Sequence, residues 1–142
     1  MAKTIFAALF GWTTLIVGGC AERNDPLPTT PEARITAALQ EVLRRNDAPF
    51  AIIEHPPTKK FVQFTGSARD TLMLDLAAQA LTPEERARAE QLFVSLGGTQ
   101  TEVGFQLDTG RDAEEAARIT LRVFREVYQL PDDAELTAEV DS

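Results

Sequence analysis

The chain has 142 residues, 22 acidic and 14 basic side chains, and a formal net charge of −8 at pH 7. This acidity argues against binding to a nucleic-acid backbone, which depends on Lys and Arg. One Cys and one His exclude a disulfide within the chain and leave too few ligands for a zinc site of the usual N and S type.

The N-terminal residues predict a targeting segment. Lys3 precedes an uncharged stretch over residues 4–21, and charge returns at Glu22, which is the profile of a signal peptide. The apolar part is short against the ~20 residues that span a bilayer. Residues 17–20, Val-Gly-Gly-Cys, resemble a bacterial lipobox, and this resemblance implies cleavage before Cys20 and acylation of its thiol.

Acylation of Cys20, with palmitate as a typical fatty acid, predicts a lipoprotein stably anchored in a bacterial envelope membrane. Ala21 in place of an aspartate favours the periplasm-facing outer membrane. An uncleaved membrane anchor and a structural helix of a cytosolic protein are the alternatives. The predicted organisation is a signal peptide, a tether, one domain and a solvated, mobile acidic tail, at residues 1–19, 20–31, 32–130 and 131–142.

The first half of the domain predicts one helix and three strands. Thr30 and Pro31 suit a helix cap and its first position, and apolar residues then recur with helical spacing until about Asn46. Within residues 50–76 the period changes, and FAIIE, KKFVQFT and TLMLDL predict strands. Their connections are too short for parallel crossovers, so we expect an antiparallel meander.

The second half predicts a helix, a strand and a helix. Thr82 and Glu85 form a capping box for a helix that Gly97 ends. Residues 103–107 alternate as a strand with one covered face, and residues 112–128 form the last amphipathic helix. The order α-β-β-β-α-β-α predicts an α+β domain, an antiparallel sheet flanked by helices.

Three blocks of this pattern resemble a known family: FVQF at 61–64, LTPEERARAEQLFVSLG at 81–97 and LRVFREVYQLP at 121–131. Together they are similar to the type III secretion chaperone-like superfamily, in particular to Tir-chaperone-like (TY-Chap) domains, over residues 32–130. The resemblance implies a twisted antiparallel sheet with flanking helices that binds a partner polypeptide without catalysis. The chain departs from related domains at Gly98, where they often carry Trp, and in having one later strand where two are usual.

The residues that could carry catalysis do not form a recognisable pattern. His55 lies in the loop His-Pro-Pro-Thr and is interpreted as a loop histidine. The serines lack a Gly-x-Ser-x-Gly context, and most glutamates fall at helix starts or on solvent faces. Asp75 interrupts an apolar strand, as a solvent-facing residue or as a half-buried acid. The sequence therefore predicts neither an enzyme nor a bound cofactor.

The leading functional hypothesis is a lipid-anchored protein that binds another protein or a peptide through a sheet face or a strand edge. Secretion chaperones act in the cytosol, so only the general capacity to bind protein is carried over to this exported chain. An acidic envelope inhibitor or immunity protein for a basic enzyme or toxin is the alternative, and an enzyme is the third. The predicted contact residues are Phe61, Gln63, Val103 and Phe105.

Overall fold

The computed structural model describes residues 30–142. The predicted signal peptide, the acylation of Cys20 and nearly all of the tether lie outside the described residues. Among those that are described, no helix has both the length and the apolar character to cross a bilayer. Three α-helices and six strands follow in chain order over residues 30–142: α1 (Pro31–Val42), β1 (Phe50–His55), β2 (Lys60–Thr65), β3 (Met73–Ala77), α2 (Pro83–Ser95), β4 (Thr99–Thr101), β5 (Gly104–Asp108), α3 (Ala113–Arg122) and β6 (Thr137–Asp141).

The strands of the described region form one antiparallel sheet in the order β4-β5-β3-β2-β1-β6. The predicted α+β class is confirmed, and β1, β2 and β3 form the expected meander. Two strands, β4 and β6, are additional to the predicted order. The later part of the sheet therefore has two strands, β4 and β5, where the sequence indicated only one.

Local sequence signals explain where the helices begin. The Thr30 side chain accepts a hydrogen bond from the Ala33 backbone N–H at 3.1 Å, and Asp112 caps α3 in the same way. At α2, Thr82 and Glu85 satisfy each other's backbone N–H groups in the predicted capping box, at 3.1 and 2.9 Å. Each cap supplies an acceptor for a donor that has no partner inside the helix.

Side chains from the helices and from one face of the sheet meet in a single hydrophobic core. Alternate strand positions point into it: Ala51 and Ile53 from β1 stand opposite Phe64 and Val62 of β2, and Val140 of β6 stands opposite Ala51. Since successive strand residues point to opposite faces, the remaining positions project away from the helices. Within residues 30–142, no helix covers that second face.

The prediction that residues 131–142 form a mobile tail is wrong for the segment that becomes β6. Thr137–Asp141 pairs with β1 along its whole length, and Leu136 and Val140 are buried. Leu136, Ala138 and Val140 alternate with polar residues at a strand period. The many acidic residues around these positions obscured the alternation in the sequence. In the structure, the alternation directs these three apolar side chains towards the core.

The predicted strand at residues 103–107 begins one residue later, at Gly104, because Glu102 and Val103 form the turn between β4 and β5. A glycine is needed at position 104, since a Cβ there would collide with the Leu76 backbone oxygen. Gly98 is confined in a similar way: a Cβ would lie 2.7 Å from the Gln106 backbone oxygen. This close approach explains why Gly98 has no bulky side chain.

The end of α3 fixes the position of β2. After Arg122 the helix widens into one π-helical turn, Val123–Val127, and the Tyr128 hydroxyl then donates a 2.6 Å hydrogen bond to the Phe61 backbone oxygen. Burial, together with the nearby carboxylate of Glu85, raises the pKa of Tyr128 above its ordinary value. Tyr128 therefore stays a neutral donor that ties the helix to the strand.

A partly buried ion pair ties β2 to α2 beside the same tyrosine. The Lys60 ammonium lies 2.9 Å from a carboxylate oxygen of Glu85, whose side chain is 8% exposed, and 5.6 Å from the centre of the Tyr128 ring. Burial raises the pKa of Glu85, but hydrogen bonds from the Thr82 backbone and from Lys60 outweigh it and leave that pKa lowered. The charged form of Glu85 is thus favoured in the folded state.

Glu85→Gln should lower the free energy of unfolding by about 1 kcal/mol near neutral pH, because it leaves Lys60 without its counter-charge while a Gln can still complete the helix cap. A carboxyl group whose pKa is lowered by folding stabilises the folded state at pH values above its pKa in the unfolded chain, which is 4.5 for Glu. This stabilisation is lost as the pH falls through the lower pKa of the folded state.

Urea unfolding followed by circular dichroism should therefore show the difference from wild type at about pH 6 shrinking towards about pH 3. Glu84→Gln, at an exposed glutamate in the same helical turn, is the control and should have little effect at either pH. A difference for Glu85→Gln that is constant with pH would contradict this account.

Candidate functional site

The side of the sheet that no helix covers, among residues 30–142, is the candidate site. Its side chains are exposed or half-buried, and they come from all the strands of the sheet. We call it the open face and define it by the register of the strands. It comprises Phe50, Ile52, Glu54, Phe61, Gln63, Thr65, Met73, Asp75, Ala77, Thr99, Thr101, Gln106, Asp108, Thr137, Glu139 and Asp141.

Large apolar side chains on the open face are only half-buried. Phe50 and Ile52 belong to β1, Phe61 to β2 and Met73 to β3. Phe61 lies diagonally across from Ile52, because Ile52 is opposite Gln63 and Glu54 is opposite Phe61. Diagonal neighbours on one face stand within reach of long side chains. The face therefore offers apolar contact area spread over three adjacent strands.

One end of the open face is concave. A cavity of about 360 Å³ lies beside the turn between β4 and β5, where Gln63 and Asp75 line it together with Glu102 and Val103. The Gln106 amide donates a 2.8 Å hydrogen bond to Asp75. The Gln63 amide has no hydrogen-bond partner within the described part of the chain, so its donors and acceptor are free for a ligand.

A second concavity of about 690 Å³ lies at the other end of the face. Thr65 and Met73 line it, together with loop residues that include Asn46, Pro49 and Asp70. Met73 thus lines one depression, while Phe50, Ile52 and Phe61 line neither. An elongated ligand, such as a peptide segment, suits this shape better than a compact one.

The structure brings three of the four predicted contact residues to one region. Phe61 and Gln63 lie on the open face, and Val103, 76% exposed, lines the same cavity as Gln63. Phe105 does not join them. It is 1% exposed and packs in the core with its ring centre 5.5 Å from that of Phe93, so its predicted contact role is corrected to a structural one.

The sequence analysis missed Phe50, Ile52 and Met73 as surface residues. The run Phe-Ala-Ile-Ile-Glu is apolar at both alternations, so its period could not show which side is covered. The signal that could have found them is the pairing with β2. Once Val62 and Phe64 are placed in the core, the antiparallel register sends Phe50 and Ile52 to the opposite face.

The polar residues considered for catalysis have structural partners. His55 Nδ1 lies 2.8 Å from Thr58 Oγ1 inside the β1–β2 turn, and Asp75 accepts from Gln106. Residues 30–142 contain no cluster of His, Cys, Asp and Glu that could hold a metal ion. What the open face offers a ligand is apolar area, the free amide of Gln63 and carboxylate charge.

Comparison with known proteins agrees with this geometry. Residues 33–142 match the model of the TY-Chap3 family, described as the T3SS (YopN, CesT) and YbjN peptide-binding chaperone 3. The chain belongs to this family, and the match includes β6. Family membership supports a peptide-binding, chaperone-like module. No curated protein and no solved structure matches the chain significantly.

Val103→Ser and Phe105→Ser should differ in their effect on the free energy of unfolding, because Val103 lies on the surface and Phe105 lies in the core. Phe105→Ser removes a buried ring and should lower the free energy of unfolding by about 4 kcal/mol, whereas Val103→Ser at the exposed turn should change it by less than about 0.5 kcal/mol. Chemical unfolding followed by circular dichroism measures both values. Equal effects of the two changes would contradict the assignment of Phe105 to the core.

Proposed function

We propose that this protein is a non-catalytic module that binds a protein or peptide segment on its open face, and that lipid on Cys20 holds it in the bacterial envelope. The observation that supports the binding role is the open face itself: half-buried apolar side chains at Phe50, Ile52, Phe61 and Met73, left without a helix in a domain of a peptide-binding family.

The open face suits this role better than the edges of the sheet do. Strand addition gains specificity from pockets for alternate side chains of the peptide. At one edge β4 is only three residues long, Thr-Gln-Thr, and fully exposed. At the other edge β6 presents exposed Thr137 and Glu139. Apolar contact area therefore lies on the face, and the edges offer mainly backbone hydrogen bonds.

The strands that carry the contact residues are well supported from the core side. Tyr128 holds the backbone of β2 at Phe61, and Lys60 joins β2 to Glu85 of α2. A site on a rigid element loses little conformational entropy when it binds. The binding surface is thus prepared before a ligand arrives.

Lipid anchoring is supported by residues 17–20 and by the position of the helix start. The folded domain begins at Thr30, the cap of α1, so residues 21–29 remain between it and Cys20. Such a spacer reaches at most about 35 Å when extended. A domain tethered at this distance stays close to the membrane while its open face is free to meet envelope proteins.

The alternative of an acidic inhibitor or immunity protein stays a hypothesis. It would use the same surface, because the open face carries carboxylates at Glu54, Asp75 and Glu139. It differs from the proposed role in requiring one folded basic partner, whereas a chaperone-like module binds segments of polypeptide.

Replacing apolar residues of the open face should weaken peptide binding. The full-length chain is applied to an array of synthetic peptides whose apolar content and charge vary systematically. Ile52→Ser combined with Phe61→Ser should weaken binding at least about tenfold, because apolar anchors carry most of the energy of such contacts. Circular dichroism must show an unchanged fold.

Val94→Ser is the matched control. Val94 is 71% exposed but lies on α2, away from the open face, so this change should leave binding intact. Retained binding by the double variant, or no binding of any peptide by the wild type, would refute the proposed site.

The intact mass of the protein extracted from bacterial membranes should equal residues 20–142 plus a diacylglyceryl group and an additional acyl chain. Cys20→Ser should abolish both cleavage and acylation, so that no acylated form of this variant is found by mass. The full unmodified chain of 15.6 kDa in the wild-type sample would refute the lipoprotein assignment.

A further inference from the structure

The apolar side chains of the open face share a specific arrangement: each has a carboxylate as its direct neighbour on an adjacent strand. Phe61 is opposite Glu54, Ile52 is opposite Glu139, and Phe50 is opposite Asp141. Met73 on β3 is likewise opposite Asp108 on β5. Directly opposite residues have Cβ atoms about 5 Å apart, so every apolar contact point on this face has a negative charge beside it.

Basic side chains do not balance these carboxylates on the same surface. None of the open-face positions in the described strands is Lys or Arg. Lys60 belongs to the core-side alternation and pairs with Glu85. Arg45, at the rim, pairs with Asp47 and also interacts with Asp141. Lys59 lies in the turn before β2, outside the strands. The face therefore combines apolar area with an excess of negative charge.

This charge selects among the occupants that an uncovered sheet face could have. A second copy of the chain, docked face to face, would bring the carboxylates of both copies together, which is costly when like charges are desolvated. An anionic membrane surface is repelled for the same reason. A cationic segment instead places its charges against the carboxylates and its apolar side chains against the apolar ones.

We propose that the open face binds a cationic amphipathic polypeptide segment, in which Lys or Arg lies next to apolar side chains. Its apolar side chains contact Phe50, Ile52 and Phe61, and its basic groups pair with Glu54, Asp75 and Glu139. This inference rests on the proposed function and adds the chemistry of the partner. Electrostatic complementarity of this kind determines partner choice and association rate.

The test uses short fluorescein-labelled peptides and fluorescence anisotropy with the full-length chain. One peptide alternates Lys with Leu and Phe, and two matched peptides replace every Lys by Glu or by Gln. The first protein variant removes three of the five carboxylates of the open face through Glu54→Gln, Asp75→Asn and Glu139→Gln. The control variant removes the same charge from exposed positions elsewhere, through Glu84→Gln, Glu90→Gln and Asp133→Asn.

The Lys peptide should bind the wild type and the control variant equally, and the open-face variant about tenfold more weakly, since three partly exposed ion pairs each contribute modestly. Raising the salt from about 0.05 M to about 0.5 M should weaken binding to the wild type and change binding to the open-face variant less. The Glu peptide should bind at least about tenfold more weakly than the Lys peptide.

Three results would overturn the inference. If the Gln or Glu peptide binds as well as the Lys peptide and the Ile52→Ser, Phe61→Ser variant loses that binding, the open face is a peptide site without charge preference, and only the proposed function stands. If both three-residue variants lose the same affinity, the effect is one of net charge alone. Failure of all three peptides to bind the wild type would contradict the proposed function as well.

Discussion

Burial of one face of the sheet beneath the helices is the interaction on which the rest of this domain depends. The strand side chains in the core come from alternate positions, such as Ile53, Val62 and Leu74, and each large apolar residue contributes roughly 1.5–3 kcal/mol when it is fully buried. Because strand residues alternate, every residue placed in the core assigns its neighbours to the other side. The open face therefore exists because the helices cover only one side of the sheet. Its residue types are not fixed by core packing and so reflect the function of that side.

Local signals in the sequence predicted the helices well, since caps and periodicity act over a few residues. Long-range pairing was harder to predict. β4 is three polar residues without an apolar pattern, and the acidic residues around Val140 hid the alternation of β6. Val103 and Phe105 fit one strand period, yet a tight turn at Val103 interrupts that strand. The alternation of β2 placed Phe61 and Gln63 on the same side of the sheet, as the structure has them. The burial of Phe105 depends on a distant partner, Phe93, which the local pattern does not show.

The candidate site and the core are linked through β2. This strand presents Phe61 and Gln63 on one side and Val62 and Phe64 on the other. Its first two residues, Lys60 and Phe61, are held by Glu85 of α2 and by Tyr128 after the π-helical turn. Substitutions in the core therefore act on the open face through the position of β2, even when they touch no residue of that face. For a peptide-binding domain, this arrangement separates the residues that hold the surface in place from those that a ligand meets.

The pairing of β6 with β1 gives the last residues of the chain a role in the order of folding. β1 lies about ninety positions before β6 in the sequence, and contacts between such distant segments form late and slowly. On a ribosome, α1 and β1 emerge long before the segment that completes the sheet edge and covers part of the core. The edge of the sheet beside β1 is therefore completed only after residues 137–141 have been made.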